Sequence, residues 1–258
     1  MPSDEELHKI YYNNEYWGSG QPTISVRKQP IMYALAQARW SFIEPHIFLK
    51  EEFCMTDVGA GYGYLGLVAS KSKNSNLKRY SAVEADKRFH SALKETWDEW
   101  NADSQLMTFA TIDQVDEKCE VVALSHLLEH VRDPLHFIIS TKKILTENGI
   151  LFIDVPYRDD QIKSNVFPHL LFFSPNNIRM LLELAELEVL QLTVWGTHRE
   201  TFPLNKNASK TIRLLCAFFS SLFQLLPLNL FFRFFTAMYG VNEQNKNGVW
   251  IRAVARNI

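Results

Sequence analysis

Cysteine is scarce in this chain. Its 258 residues include three, Cys54, Cys119 and Cys216, far apart and without a CxxC pair. That spacing excludes a disulfide framework and a cysteine zinc centre, and it fits small buried side chains in a reducing compartment, so cytoplasmic residence is expected. A surplus of basic residues is also missing: 27 Lys and Arg face 29 Asp and Glu, for a formal net charge of −2. A nucleic-acid partner is therefore not expected. The opening Met-Pro-Ser-Asp-Glu-Glu-Leu is acidic and lacks the apolar core of a signal peptide. Internal repeats and low-complexity segments are absent. What the chain does have is apolar residues, 47% of the total. They are enough for a core, and the length suits a single domain over 1–258, with or without an insert.

Residues 1–29 are polar and aromatic, with Gly18, Gly20 and Pro22, and read as an irregular lead-in. Pro30 suits a first helical position, and Ile31, Leu35, Ala38 and Phe42 recur at helical spacing before Pro45 ends the run, so 1–50 is a lead-in plus a helix. Strands and helices then alternate. Apolar or β-branched runs at 53–58, 79–83, 106–110, 120–124, 150–155 and 187–195 predict six strands, and 249–255 a last one. Between them 64–70, 86–100, 133–146 and 174–186 predict helices, with Asp86, Asp133 and Ser174 as N-caps and Gly149 as a stop. Such alternation implies right-handed βαβ units, hence an α/β, doubly wound fold with a mostly parallel sheet covered on both faces.

The first strand runs into Asp57-Val58-Gly59-Ala60-Gly61-Tyr62-Gly63. Glycine lets a backbone turn sharply and approach a ligand, and the helix that follows starts with unpaired N–H donors. Glu84 closes the second strand, 21 residues beyond Gly63, where a carboxylate can accept both hydroxyls of a ribose. Residues 61–66 also satisfy the GxGxxG dinucleotide pattern, so an NAD(P)-dependent enzyme is a rival reading. Two features disfavour it. Gly59 and Ala60 intervene between the strand end and that fingerprint. Asp57 would repel a pyrophosphate, yet it would attract the ammonium of an amino acid. S-adenosylmethionine carries an ammonium and a sulfonium, and no phosphate.

These residues resemble those of class I S-adenosylmethionine-dependent methyltransferases. Residues 57–63 are similar to that family's first motif, DxGxGxG, and Glu84 to its ribose-binding acid. Ser125-His126-Leu127-Leu128-Glu129-His130-Val131, followed by Asp133-Pro134, is similar to the Leu-Glu-His-Val-x-x-Pro segment of the small-molecule subgroup that methylates quinone precursors. His169-Leu170-Leu171-Phe172-Phe173-Ser174-Pro175 is similar to that subgroup's His-x-x-x-Phe-Ser/Thr-Pro segment. The resemblance covers about residues 53–196 and the last strand. It implies a seven-stranded sheet of order 3-2-1-4-5-7-6 with strand 7 antiparallel. It also implies S-adenosylmethionine bound by Asp57, Gly59, Ala60, Gly61, Gly63, Glu84, Ala85, Ser125 and His126. The chain departs from the family near 111–120: where a Gly-Asp pair often follows the third strand it reads Thr111-Ile112-Asp113, which leaves Asp113 as the adenine contact.

Methyl transfer from a sulfonium is an in-line displacement in which the protein aligns the acceptor, excludes water and removes a proton. No metal is required or expected, although Glu129 and His130 are of ligand type. His169 follows the fifth strand, at the carboxyl edge where doubly wound sheets bind ligands, and is the leading base candidate. His130 and His126 flank the end of the fourth strand and are the other two catalytic candidates. Tyr157 and Arg158 are placed near substrate; Tyr11, Tyr12 and Trp17 are read as aromatic packing, with closure over the cofactor as the alternative.

Residues 205–246 fall between the sixth and seventh strands, which the family joins by a short hairpin. They read as apolar helices at 209–226 and 228–239, broken at Pro227. The uncharged run 214–232 has 19 residues, close to a membrane span. However, Ser220, Ser221, Gln224, Pro227 and Asn229 interrupt it, and a single span would strand the last strand across the bilayer. A helical lid over a lipophilic substrate is favoured, with a peripheral membrane contact or a homodimer contact as the alternative. The expected activity is methyl transfer from S-adenosylmethionine to a small or lipophilic acceptor, at oxygen. An NAD(P) enzyme and a non-catalytic S-adenosylmethionine-binding protein are the rivals.

Overall fold

A parallel sheet clothed by helices buries both sides of its central strands, so those strands should be apolar along their length. In the computed structural model, which describes residues 20, 22–25, 29–47, 52–162, 166–196, 230 and 248–258, three strands are mostly apolar and buried over most of their length. They are β1 (Phe53–Val58), β4 (Cys119–Ser125) and β5 (Leu145–Pro156). With β2 (Leu77–Val83), β3 (Gln105–Phe109), β6 (Leu187–Trp195) and β7 (Trp250–Asn257) they form a seven-stranded sheet of order β3-β2-β1-β4-β5-β7-β6. β1 to β5 are parallel to their neighbours, and β7 runs antiparallel to β5 and β6. The expected topology is therefore the observed one.

Strand side chains alternate between two cores. Val121, Ala123, Ile150 and Phe152 face one, and Val122, Leu124, Leu151 and Ile153 the other. The first core is closed by α1 (Pro30–Ile43), α2 (Tyr64–Lys71) and α3 (Arg88–Glu99). α3 contributes Phe89, Leu93 and Trp97, spaced by one helical turn, each worth about 1.5–3 kcal/mol of apolar burial. The second core is closed by α4 (Pro134–Lys142) and, after the short α5 (Asp159–Ile162), by α6 (Pro175–Leu184). Asp133 and Ser174 cap α4 and α6 as expected, accepting from the N–H of His136 at 2.9 Å and of Asn177 at 3.2 Å.

One local reading is refined and another corrected. Asp86 accepts the Arg88 N–H on Oδ1 at 3.0 Å and the Phe89 N–H on its carbonyl at 3.0 Å, so it caps the turn that leads into α3, whose regular part begins at Arg88. Asp86 also pairs with the Arg88 guanidinium, and Glu84 accepts its N–H at 3.0 Å. Gly149 does not stop a helix. α4 ends at Lys142, and Gly149 lies in a bulge of β5, where the register against β4 shifts between Cys119 and Val121. Asn148 there has φ of 61°, and a Cβ on Gly149 would stand 2.9 Å from Thr146 Oγ1. The bulge consumes residues that helical periodicity had claimed.

Charged residues stand inside the apolar sheet. Asp154 of β5 is fully buried; Arg39 of α1 donates to it from Nε at 2.6 Å, and Arg252 of β7 holds its Nε at 3.6 Å, an ion-pair distance. Burial pushes the Asp154 carboxyl up, but the two guanidinium groups outweigh it and hold the group below the usual carboxylate range. The cluster clamps α1, β5 and β7 together. The connection from β6 to β7 is pinned at both ends: Val249 donates its N–H to the Trp195 carbonyl at 2.8 Å, and the Trp250 ring covers Gly196. Apart from Leu230, the apolar insert at 205–246 lies outside the described residues, as do Tyr11, Tyr12 and Trp17. Among the described residues no helix is long and apolar enough to cross a membrane.

Gly66 of α2 sits against the ring of Tyr80, where a Cβ would come within 2.3 Å of Cε2. That ring is itself trapped, stacked on Trp97 with centroids 5.0 Å apart. Gly66→Ala should therefore lower stability by about 2 kcal/mol through overpacking. The loss exceeds the roughly 1 kcal/mol that Ala gains over Gly in a helix. The check is the midpoint of urea unfolding; an unchanged or raised midpoint would show that the ring can move.

Candidate functional site

The carboxyl ends of β2, β1 and β4 lie side by side, and the residues that leave them build the site. After β1 the backbone turns through positive φ at Gly59 (77°), Gly61 (50°) and Gly63 (65°), a region that side chains disfavour. The turn is fastened to β2: Gly59 and Ala60 donate to the Val83 carbonyl at 2.9 and 3.1 Å. Gly61 donates to Glu84 Oε2 at 2.9 Å, so Glu84 is a buried brace of the loop as well as the expected ribose ligand. Burial pushes its carboxyl up, against the pull of the Asp86 and Gly61 N–H groups. Each carboxylate oxygen can accept more than one bond, so bracing leaves Glu84 able to take a hydroxyl.

Asp57 lies inside β1 and is 3% exposed. Its Oδ2 accepts the Tyr80 hydroxyl at 2.8 Å, while Oδ1 is buried with no hydrogen-bond partner. Burial pushes the carboxyl up to about 6, against the pull of Tyr80 and Arg39 and with a further push from Glu84. A buried carboxylate oxygen without a partner is costly unless a donor or cation arrives. Ser125 Oγ, at the end of β4, is orphaned in the same way. The glycine turn and these two atoms fit a cofactor with a cationic amino-acid portion.

The adjoining turn carries the histidines. His126 adopts φ of 53° and donates its N–H to the Asp154 carbonyl at 2.7 Å, which ends β4. Leu127 then lies against the glycine loop, with Cδ1 3.3 Å from where a Gly59 Cβ would be. In the 3-10 turn Leu128–His130, the Glu129 carbonyl accepts the N–H groups of Leu170 and Leu171 at 2.7 and 3.1 Å. Those bonds bring the segment after β5 onto the turn, so His169 meets His130 edge-on, ring centroids 4.9 Å apart. Glu129 Oε1 is 3.3 Å from His126 Nδ1 and 3.9 Å from His130 Nε2, and His169 Nδ1 is 3.2 Å from Asp159 Oδ2. These are ion-pair distances without hydrogen-bond alignment, because both Glu129 oxygens and His169 Nδ1 lack a hydrogen-bond partner. Burial pushes the Glu129 carboxyl up, but His126 and His130 more than reverse this and leave it below its usual range. Burial pushes the His130 imidazole down. Donor atoms of Glu129, His130 and His169 all lie within 4.8 Å of one another, a grouping able to hold a metal ion.

The structure thus gathers His126, His130 and His169 about Glu129, beside a loop braced by Glu84 and followed by half-buried Ala85. Asp113 is exposed on the turn Ile112–Gln114, which leaves the carboxyl end of β3. The Arg158 guanidinium stacks over the Tyr157 ring at 4.8 Å. Sequence reasoning missed Tyr80 and Asp159. Tyr80 had a signal, since a tyrosine at an inward strand position needs a partner for its hydroxyl and Asp57 lies in the next strand. Asp159, one of two adjacent acids in a connecting segment, had none.

A model of the methyltransferase domain matches residues 36–192, more than half of the chain. No curated protein matches the sequence. Several solved structures share the fold. A SAM-dependent methyltransferase from Aquifex aeolicus is 13% identical with a TM-score of 0.54, covering 85% of this chain and 89% of that one. An S-adenosylmethionine-dependent methyltransferase from Clostridium acetobutylicum is 9% identical with a TM-score of 0.52, covering 86% and 90%. Coclaurine N-methyltransferase, bound to N-methylheliamine and SAH, is 17% identical with a TM-score of 0.56, covering 98% and 81%. With its glycine turn, orphaned carboxylate and seven-stranded sheet, the chain belongs to the methyltransferase-domain family.

Proposed function

We propose that the chain transfers a methyl group from S-adenosylmethionine to a hydroxyl of a small or lipophilic acceptor. The observation that carries the reading is the buried, half-paired carboxylate of Asp57 at the foot of a glycine turn, with a histidine cluster on the turn next to it. One half suits a cationic nucleoside; the other can take a proton. When bound, S-adenosylmethionine supplies a methyl already activated by the sulfonium charge. Asp57 Oδ1 receives the ammonium, Glu84 the ribose hydroxyls and Ser125 the methionine portion, with His126 at the acceptor end of the cofactor. Ala85, and Asp113 on the turn that follows β3, are assigned to the adenine side. The exposures favour His126 over His169 as the proton acceptor: the His126 side chain is 34% exposed with Glu129 behind its Nδ1, whereas that of His169 is 13% exposed. A base needs both an orienting carboxylate and access to the acceptor.

Four outcomes are expected for binding and turnover. Calorimetric titration should show S-adenosylhomocysteine binding and no NAD(H) binding; the reverse pattern would overturn the reading. Asp57→Ala should weaken S-adenosylhomocysteine affinity by about ten- to a hundredfold, the scale of a charge-assisted contact. In the wild type, the Asp57 carboxyl is pushed up to about 6 and an ammonium binds only its ionised form. Affinity should therefore be steady above that pH and weaken as pH falls through it. In the free protein the same group has the opposite effect on stability. Between about 6 and its ordinary 3.8 the folded state holds a proton that the unfolded chain releases, so this group's contribution to stability rises as the pH falls. Affinity that is flat down to about pH 4 would separate Asp57 from the ligand. Replacing His126 by Ala should cut kcat by about a hundredfold while S-adenosylhomocysteine affinity changes little; unaltered turnover would remove it as the base.

A further inference from the structure

We infer that Glu129, His130 and His169 bind a divalent transition-metal ion of the zinc class beside the histidine end of the site. Two imidazoles and one carboxylate form the donor set, and their donor atoms lie within 4.8 Å of one another. Metal bonds of about 2.0–2.2 Å need ligand atoms somewhat nearer than that, so closure asks only for small side-chain rotations. Two nitrogens and one oxygen suit zinc and its first-row neighbours better than magnesium or calcium.

An independent observation points to a ligand. Glu129 is 1% exposed and both of its side-chain oxygens lack hydrogen bonds. A buried carboxylate left in that condition is costly. The imidazole nitrogens near it, at 3.3 and 3.9 Å, are not aligned with it as placed. A cation on Oε1 or Oε2 would remove the cost. The His130 ring is also set as a ligand usually is, with Nδ1 turned to the Pro168 carbonyl at 3.4 Å and Nε2 toward Glu129. An acceptor on one ring nitrogen fixes the tautomer and makes the other nitrogen the better ligand. His169 Nδ1 lies 3.2 Å from Asp159 Oδ2, an ion-pair distance without a hydrogen bond. The backbone supports the set in advance, since the Glu129 carbonyl holds Leu170 and Leu171, next to His169.

This site departs from the expectation that no metal is used. Three protein ligands leave coordination positions for an oxygen of the acceptor, and a cation lowers the pKa of a hydroxyl bound to it. That consequence rests on the methyl-transfer reading; the ion site does not.

The test uses full-length, tag-free protein stripped with a chelator and titrated with Co²⁺, then Zn²⁺. One equivalent of Co²⁺ should bind with visible absorption bands, and Zn²⁺ should displace it. Glu129→Gln and His169→Ala should each weaken Co²⁺ binding by at least about a hundredfold. His136→Gln, on the exposed face of α4, should leave it unchanged. If one variant fails to fold, the other and the wild-type stoichiometry still decide. Absence of a stoichiometric Co²⁺ spectrum in the wild type overturns the site, as does unchanged affinity in a folded variant. S-adenosylhomocysteine binding is measured in parallel. If it binds but Co²⁺ does not, the ion site fails and the methyl-transfer reading stands; Co²⁺ binding without it has the opposite meaning.

Discussion

The contact between the Tyr80 hydroxyl and the Asp57 carboxylate is where the sheet and the site become one object. Asp57 must be buried to reach the floor of a ligand turn, and burial makes its charge unfavourable. One oxygen is satisfied by Tyr80 at 2.8 Å and the other is held in reserve. To deliver that hydroxyl, Tyr80 must lie flat between Trp97 and α2, which in turn demands a glycine at position 66. Binding geometry, core packing and helix composition are therefore fixed by a single hydrogen bond.

A second buried charge organises the other half. Asp154 holds Arg39 and Arg252 through its side chain, and its carbonyl takes the His126 N–H. The same residue thereby anchors the N-terminal helix to the sheet and sets the left-handed turn that sends the histidine segment across the glycine loop. Breaking one partner of such a cluster leaves an uncompensated charge in the interior, so the arrangement is costly to alter in pieces.

How much of this could be read from the residues depended on range. Glycines at 59, 61 and 63 announce themselves because positive φ is a local demand, and the central strands do so because burial on two sides gives them runs such as Val121–Leu124 and Ile150–Ile153. Asp133 and Ser174 were legible as caps for the same local reason. Asp86 was legible too, although the regular helix begins two residues later, at Arg88. Gly149 misled because a bulge and a helix stop use the same residue. The Asp154 cluster joins residues 115 positions apart in its Arg39 contact, so no window could contain it; the one trace was charge inside otherwise apolar segments. The histidines were found by resemblance, but Asp159 beside His169 depends on how two connections fold back on each other.

The pinned ends of the β6–β7 connection have a different kind of consequence. With Val249 bonded to Trp195 and Trp250 seated on Gly196, the chain leaves β6 and enters β7 at adjacent points. The entropy of closing an excursion between two fixed points rises only with the logarithm of its length, about 0.6 kcal/mol per doubling. The pairing of β6 with β7 is thereby made nearly indifferent, in closure entropy, to how many residues separate the two strands.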